Sequence, residues 1–570
     1  MNRTVKQTLR GSALLAPVRR WRLEKLISSP GYVPDWATLL SGHQDLWRKA
    51  LSSANGPRIA IASSLGLNST VNTVDSLIAV ALTLRGARVD LVFCDSALPA
   101  CQVIEHTLVP SVGRTARLGP AADFCTACSH AAARTYAPTG LTLRRFSDYL
   151  TLKDRQSAAA FAASNRSEGA GDRSLSDHAL AGALRFFGRA ELGADPHTAE
   201  IHRRYREAAW LASRATRRLL QKEPYGAVVA HHGIYVPQGQ IAAETRAAGT
   251  RLVTWHTAYR KGRLIYQHND TYHREMISEP VSSWGGQPLS ADEDAALTDY
   301  LTSRETGSQD WITFQRKAPG DKAAVYAELD LDPAKPVYLL AANVAWDARL
   351  HYPGSAYGHM IEWAEDTVRW FAQRPDLQLV VRCHPGEVIS SPRAQDRLDH
   401  HLAAAFPDMP PNVRIITPEM ETNTYAIART ARGTLIYNTK MGVELAARGN
   451  AVVVAGDAWI RGKGFSRDAS DAASYLALLE DETTFRPLTD GERDLARRYA
   501  FHFFFRRCLQ VGALDSKAGW PLTPLTQDAF QRAMPGADDG LDTICKGILE
   551  GAPFEAPRPL AKRREETLRR

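Results

Sequence analysis

The sequence predicts an α/β fold: two Rossmann-like domains in tandem facing a cleft, with a helical insertion in the N-terminal domain and a C-terminal helical closure. Three observations carry this. The chain of 570 residues, 44% of them hydrophobic, exceeds what a single core organises and suffices for two. Residues 57–95 run from an apolar stretch (PRIAIA) through a Ser/Gly/Asn loop (SSLGLNST) and a helix-period segment (VDSLIAVALTLRG) into a second apolar stretch (ARVDLVFCD). That is the opening of a βαβ unit with a parallel sheet. Past residue 330, strand-like and helix-like segments alternate regularly, as a second doubly wound domain requires.

Taken in order, residues 1–50 read as a basic helical lead-in and 51–300 as the N-terminal domain, with a helical insertion at about 140–220 that holds the polar loop SNRSEGAGDRS. Strand signals resume at GAVVAHHG (226–233) and TRLVTWHT (250–257), separated by the helix-like QIAAETRAAG. Gly, Ser, Asp and Pro are frequent from about 285 to 330, which marks an interdomain region. In the second domain, 330–485, KPVYLLAAN is a strand and YGHMIEWAEDTVRWFAQ a helix, with Met360, Trp363, Ala364, Thr367 and Phe371 at helical spacing. LQLVVRCHP, NVRIITP, GTLIYN and NAVVVAG supply four further strands. Residues 486–570 read as C-terminal helices and a basic, disordered tail, with the cluster Phe501, Phe503, Phe504 and Phe505 too apolar to be left exposed.

Seventy basic against 62 acidic residues give a net charge of +8, which favours anionic partners. The charge is dispersed and no recognisable module accompanies it, so nucleic acid is not the expected partner. No run of roughly 18–20 apolar residues and no signal-peptide pattern is present, which predicts a cytoplasmic protein. Arg3, Lys6, Arg10, Arg19, Arg20, Arg22 and Lys25, set among Leu9, Leu14, Leu15 and Trp21, have the composition either of an interfacial helix in contact with the inner membrane surface or of a solvated, flexible lead-in. Seven cysteines are too few for a disulfide scaffold. Cys94, Cys101, Cys125 and Cys128 crowd together as a possible zinc set, although their spacing matches no zinc template, and reduced thiols are the expected state.

Ligands of open α/β sheets bind beyond the carboxyl ends of the strands. The polar residues of the second domain fall at such ends. Arg382, His384 and Pro385 follow one strand (VVRCHPGE), Asn438, Thr439 and Lys440 follow GTLIYN, and Trp459, Arg461 and Lys463 follow NAVVVAG. Thr439 and Lys440 stand where a strand opens into a helix, so free backbone N–H groups and the helix dipole there suit a phosphate. Arg382, His384 and Pro385 add charge, a hydrogen-bond donor and a stiff turn to the same phosphate site. Glu444, one turn on, is placed to accept hydrogen bonds from ribose hydroxyls. With Asn438, Trp459, Arg461 and Lys463 it makes up the expected nucleotide and sugar contacts, the last three on a loop able to close. His232 in HHGIYVPQG, and Asp270 and His273 in QHNDTYHRE, are the candidate general bases. The cations and N–H groups predict stabilisation of a leaving phosphate without a metal. The missing GxGxxG argues against a nicotinamide or flavin enzyme.

VVRCHPGE, the TK-G-x-E of NTKMGVE and the loop AGDAWIRGKGFSRD together resemble the C-terminal domain of the capsule polysaccharide biosynthesis family. The similarity extends through NVAWDARLHYPGSAYGHMIEWAEDTVRW and, more weakly, to ARVDLVFCDSALPAC and HHGIYVPQG. This resemblance implies a GT-B glycosyltransferase, of the kind that transfers acidic sugars such as Kdo. The donor nucleotide-sugar would bind the C-terminal domain, and a glycan, glycolipid or small hydroxylated acceptor the N-terminal one. It also implies that His384 and Pro385 meet the donor phosphate and that Glu444 is the helix-borne acid. The donor is left open between UDP-, GDP- and CMP-sugars. A nucleotide-sugar epimerase or hydrolase on the same fold, and a noncatalytic polysaccharide-assembly protein, are the alternatives.

Overall fold

The computed structural model describes residues 15–164, 170–314, 321–347, 354–517 and 524–558. The chain forms two compact units: one comprises residues up to Phe186, Leu192–Tyr272 and the chain from Arg506 onward, and the other Phe187–Glu191 with His273–Phe505.

Six strands come first in the first unit: β1 (Arg58–Ile61), β2 (Arg88–Phe93), β3 (Thr142–Arg145), β4 (Ala227–His231), β5 (Arg251–Thr257) and β6 (Arg263–His268). They lie in the order β6-β5-β4-β1-β2-β3, parallel from β5 to β3, with β6 antiparallel to β5. Every residue of β4 is buried, as expected of a strand covered by helices on both faces. The helix Ser69–Leu84 crosses over from β1 to β2. Its N-cap Asn68 accepts the Val71 N–H, and it is buried from Ser69 to Thr83. The helices Leu152–Ala163, Ala170–Phe187 and Pro196–Lys222 fill the expected insertion between β3 and β4.

The second unit carries β7 (Val337–Ala341), β8 (Gln378–Arg382), β9 (Val413–Ile416), β10 (Gly433–Ile436), β11 (Val452–Val454) and β12 (Arg467–Asp468). All pairs are parallel, in the order β12-β11-β10-β7-β8-β9. The helix Met360–Ala372 buries Met360, Trp363, Ala364, Thr367 and Phe371, the stripe its spacing predicted. Both units are thus doubly wound α/β structures.

Three boundaries differ from the expectation. Within 1–50, Trp36 and Trp47 are buried in the core of the first unit, so the helices Trp36–Leu40 and Gln44–Ser53 are part of that unit. The region 285–330 contains the helices Ala291–Ser303 and Lys322–Glu328, both within the second unit; the capping box of Ser290 and Glu293 starts the first of them. The segment 486–570 divides: the helix Asp490–Phe501 ends the second unit, and the chain from Arg506 belongs to the first. There β13 (Leu509–Gln510) pairs antiparallel with β6, and the helix Asp539–Glu550 adds Leu541, Ile544 and Ile548 to the core. Phe501, Phe503 and Phe504 are buried, as their apolarity demanded. The tail KRREETLRR lies outside the described residues.

Candidate functional site

Strand order reverses between β7 and β10 in the second unit, and such a reversal opens a crevice beyond the carboxyl ends of the two strands. A cavity of about 350 Å³ occupies that place, lined by Asn343 and Asp347 after β7, Tyr437 and Asn438 after β10, and Ser355 and His359 on the segment leading into the helix Met360–Ala372. Asn343 is fixed by its backbone N–H, which donates to Met360 Sδ (3.2 Å), and its Nδ2 donates to Val344 O (3.2 Å). Among the described residues its buried Oδ1 has no partner, an acceptor awaiting a donor. The segment over the cavity is held to the end of β11: Ala356 N–H donates to Ala455 O (2.7 Å), Asp457 N–H to Ser355 Oγ (3.3 Å), and Gly354 N–H to the Asp457 carboxylate. A Cβ at Gly354 would come within 2.6 Å of that carboxylate, so glycine is needed there.

Of the predicted residues, Asn438 lines this cavity, and its lining includes neither His384 nor Lys440. His384 follows β8, where Gly386 N–H donates to its Nδ1 (3.0 Å), and Phe314 packs edge-on against the ring (4.7 Å between centroids). The proton of the neutral ring therefore resides on Nε2. Burial, with Arg382 and Lys440 nearby, pushes its pKa down to about 3, so His384 is a neutral donor. Pro385 opens the turn that carries Gly386. Asn438, Thr439 and Lys440 are all partly exposed at the end of β10, and Asn438 lines the cavity.

Five expectations are corrected. Arg382 is buried, and donates from Nε to Thr424 Oγ1 (3.3 Å) and from Nη1 to Thr417 O (2.9 Å), so it braces the loop after β9 and does not present its charge. The amides opening the helix Met441–Ala447 have partners: Met441 N–H donates to Thr439 Oγ1 (3.4 Å) and Gly442 N–H to Thr439 O (3.3 Å). Glu444 is fully buried, paired with Arg304 (3.0 Å) and accepting the Tyr425 hydroxyl. Burial alone would raise its pKa, but Arg304 and Lys440 hold the carboxyl below its usual range. Lys463 is buried, donating to Ile277 O (2.9 Å) and Glu279 O (2.6 Å), and burial pushes its pKa down to about 8. Arg461 donates to Gly456 O (3.1 Å) and Ala469 O (2.6 Å), while Trp459 is buried against Phe503 (5.0 Å) and His273 (6.0 Å). The expected closing loop is thus pinned down, because its cations cap carbonyls.

In the first unit the reversal falls between β1 and β4. Three imidazoles gather there, at the ends of β4 and β5. His231 stacks on His256 (5.2 Å), and His232 meets His256 edge-on (4.6 Å). His232 adopts φ 65°, a left-handed backbone that a non-glycine residue enters only at a cost of order ~1 kcal/mol, commonly where function requires it. His231 N–H donates to Ser63 Oγ (2.8 Å), and among the described residues its buried Nδ1 has no partner. Burial, then His256 and Arg185, hold the His231 pKa well below the usual range, and burial lowers that of His256, so both are neutral proton acceptors. Asp270 Oδ1 accepts Thr271 N–H (2.8 Å), which makes it a cap of the turn after β6. His273 belongs to the second unit, where it is buried beside Trp459.

Behind the imidazoles, Asp75 is buried and accepts Trp255 Nε1–H (3.0 Å), and burial pushes its pKa up to about 7. A raised carboxyl pKa contributes stability that is complete below the unfolded value near 4 and is lost as pH rises through 7. Asp75→Asn is therefore expected to gain stability relative to the parent between pH 4 and pH 7 in urea unfolding. A constant difference across that window would show Asp75 ionised throughout.

The zinc possibility fails on geometry. Cys94, Cys101, Cys125 and Cys128 are free thiols whose pKa values burial raises, and among the described residues no three of their sulfurs lie within 4.8 Å of one another. His231 and His256 escaped the sequence reading, although both satisfy the strand-end criterion that selected His232.

No protein-family model matches the chain, and no curated protein matches it. Among solved structures it is similar to KpsC of Thermosulfurimonas dismutans, a β-Kdo 2,4 transferase, at 14% identity over 55% of this chain and 88% of that one, with a TM-score of 0.34. MurG of Acinetobacter baumannii is 13% identical over 77% and 93% of the two chains (TM-score 0.25). The UDP-GlcNAc 2-epimerase of Neisseria meningitidis is 11% identical over 51% and 79% (TM-score 0.23). At these values the likenesses establish neither family nor activity. Among the described residues no helix is long and apolar enough to cross a membrane.

Proposed function

We propose that the protein is a GT-B type glycosyltransferase that moves a sugar from a nucleotide-activated donor to a hydroxyl acceptor, in capsule or other surface polysaccharide synthesis. The supporting observation is the cavity at the strand reversal of the second unit, with Asn438 in its wall beside Asn343, whose Oδ1 has no partner among the described residues. Asn343 accepts a hydrogen bond from the donor. Lys440 and the Nε2–H of His384 meet the charge that develops on the departing phosphate, the role in which oriented donors lower a barrier most. His232, set against His231 and His256 in the first unit, takes the proton of the attacking hydroxyl. The sequence resemblance to capsule polysaccharide enzymes supports the choice of pathway, and acidic sugars such as Kdo are the first donors to test.

Calorimetry or thermal shift against UDP-, GDP- and CMP-sugars tests the reading. One nucleotide series is expected to stabilise the second unit, by about 2.7 kcal/mol at a hundredfold excess over Kd. Asn343→Ala is expected to reduce that stabilisation. Product analysis should then show sugar joined to an acceptor; release of free sugar without any acceptor would favour the hydrolytic alternative, and absence of stabilisation by every series would overturn the assignment.

A further inference from the structure

The helix Ala16–Ile27 packs on the first unit with one face only. Leu23 and Ile27 join a small cluster with Tyr32, Ala127 and Ala131, and Arg19 anchors the same side through Asp123 (2.8 Å). The outward face is built differently. Among the described residues nine large apolar side chains are exposed, and four of them lie on this helix or its cap: Leu15 (37%), Val18 (45%), Trp21 (58%) and Leu26 (46%). So high a share on one short helix is not the scatter of single apolar residues that ordinary surfaces show. With 3.6 residues per turn, these four, Arg22 and Lys25 fall within one arc of about 140°.

The arc carries cations and no acid. Arg22 and Lys25 are exposed, and neither has an acidic partner among the described residues; Lys25 Nζ lies over the Trp21 ring (5.4 Å). Glu24, the one acid of the helix, points away from the arc and is paired with Arg20 (2.8 Å). The sequence ahead of the helix continues the bias, since residues 1–15 hold three basic groups, Arg3, Lys6 and Arg10, and no acid.

We propose that this face of Ala16–Ile27 docks the protein on a membrane surface rich in anionic lipid, with Trp21, Val18, Leu15 and Leu26 entering the headgroup boundary and Arg22 and Lys25 meeting lipid phosphates. An indole at the headgroup level with flanking cations is the composition such a boundary selects. A protein partner would be expected to neutralise or cap the cations with acids of its own. An anionic bilayer supplies the apolar slab and the counter-charge together, so it is the occupant the face fits best.

Sedimentation of the full chain with lipid vesicles decides the matter. Binding is expected to vesicles of phosphatidylcholine with about one-third phosphatidylglycerol, to weaken at high salt, and to be at least tenfold weaker on phosphatidylcholine alone, since each cation contributes about fivefold at an anionic surface. Trp21→Ser with Val18→Ser should weaken binding at least tenfold with an unchanged melting temperature, because both side chains are exposed in the free protein; Arg22→Glu with Lys25→Glu should do the same and remove the lipid-charge dependence. Equal binding to both vesicle types, or variants that bind like the parent, would overturn the proposal. So would a concentration-dependent dimer in sedimentation velocity that Trp21→Ser abolishes, which would assign the face to a second copy of the chain.

Discussion

Lys440→Ala is expected to lower kcat/KM for the donor by about 100-fold, in the range seen when one charge-stabilising group is removed from a transfer site, and to lower the melting temperature less than Glu444→Ala does, because Lys440 also helps to hold the buried Glu444 carboxylate. Lys440 is partly exposed at the end of β10, so truncation opens no cavity in the core. Its charge reaches His384, whose pKa it helps to depress. His384→Ala should cost a similar factor, and His384→Gln less, because the amide can still accept Gly386 N–H and offer a donor outward. The two groups serve one phosphate, so the double variant should lose less than the product of the single losses. Steady-state kinetics on the donor that stabilises the protein provides the measurement. Parent-like rates in both single variants would remove the phosphate assignment.

The architecture was legible because both sheets are built from strands buried on two faces, and short apolar runs such as AVVAH or VYLLA, bounded by turn residues and alternating with helical segments, read as core strands. The return of the chain at Arg506 was not legible, because β13 is a two-residue edge strand whose pairing with β6 leaves no periodic trace. Of the residues the strand-end rule selected, Asn438 lines the cavity, and His384 and Lys440 are proposed for the phosphate. The rule failed at Arg382, Lys463 and Glu444 for one physical reason: a charged residue in a strand-end loop reads the same whether it faces a ligand or caps a carbonyl. The deciding partners, Thr417 O, Glu279 O and Arg304, stand 35, 184 and 140 residues away in sequence. The glycine of TK-G-x-E is likewise a packing requirement, since a Cβ at Gly442 would lie 2.6 Å from Ile436 Cδ1.

The largest effect on stability is expected at Glu444. Its carboxylate has no exposure, and Arg304, which also pairs with Asp310, reaches it at 3.0 Å while Tyr425 donates its hydroxyl. Glu444→Ala removes one of the two acids that hold the buried Arg304 guanidinium and leaves the Tyr425 hydroxyl without its acceptor, a loss of about 3–5 kcal/mol, as for a broken buried ion pair. At roughly 2–4 °C per kcal/mol for a domain of this size, the transition of the second unit should fall by about 6–20 °C. The pH dependence has a defined sign. The folded carboxyl pKa lies below its unfolded value, so the pair's contribution is complete above about 4.5 and disappears as pH falls through the folded pKa. Calorimetric scans of parent and Glu444→Ala between pH 3 and pH 7 should therefore converge at the acid end. A Glu444→Ala protein that melts like the parent and loses only donor affinity would restore this acid to the ribose. Destabilisation with donor affinity retained below the transition would confirm that it joins the helix Met441–Ala447 to Arg304 and takes no part in binding.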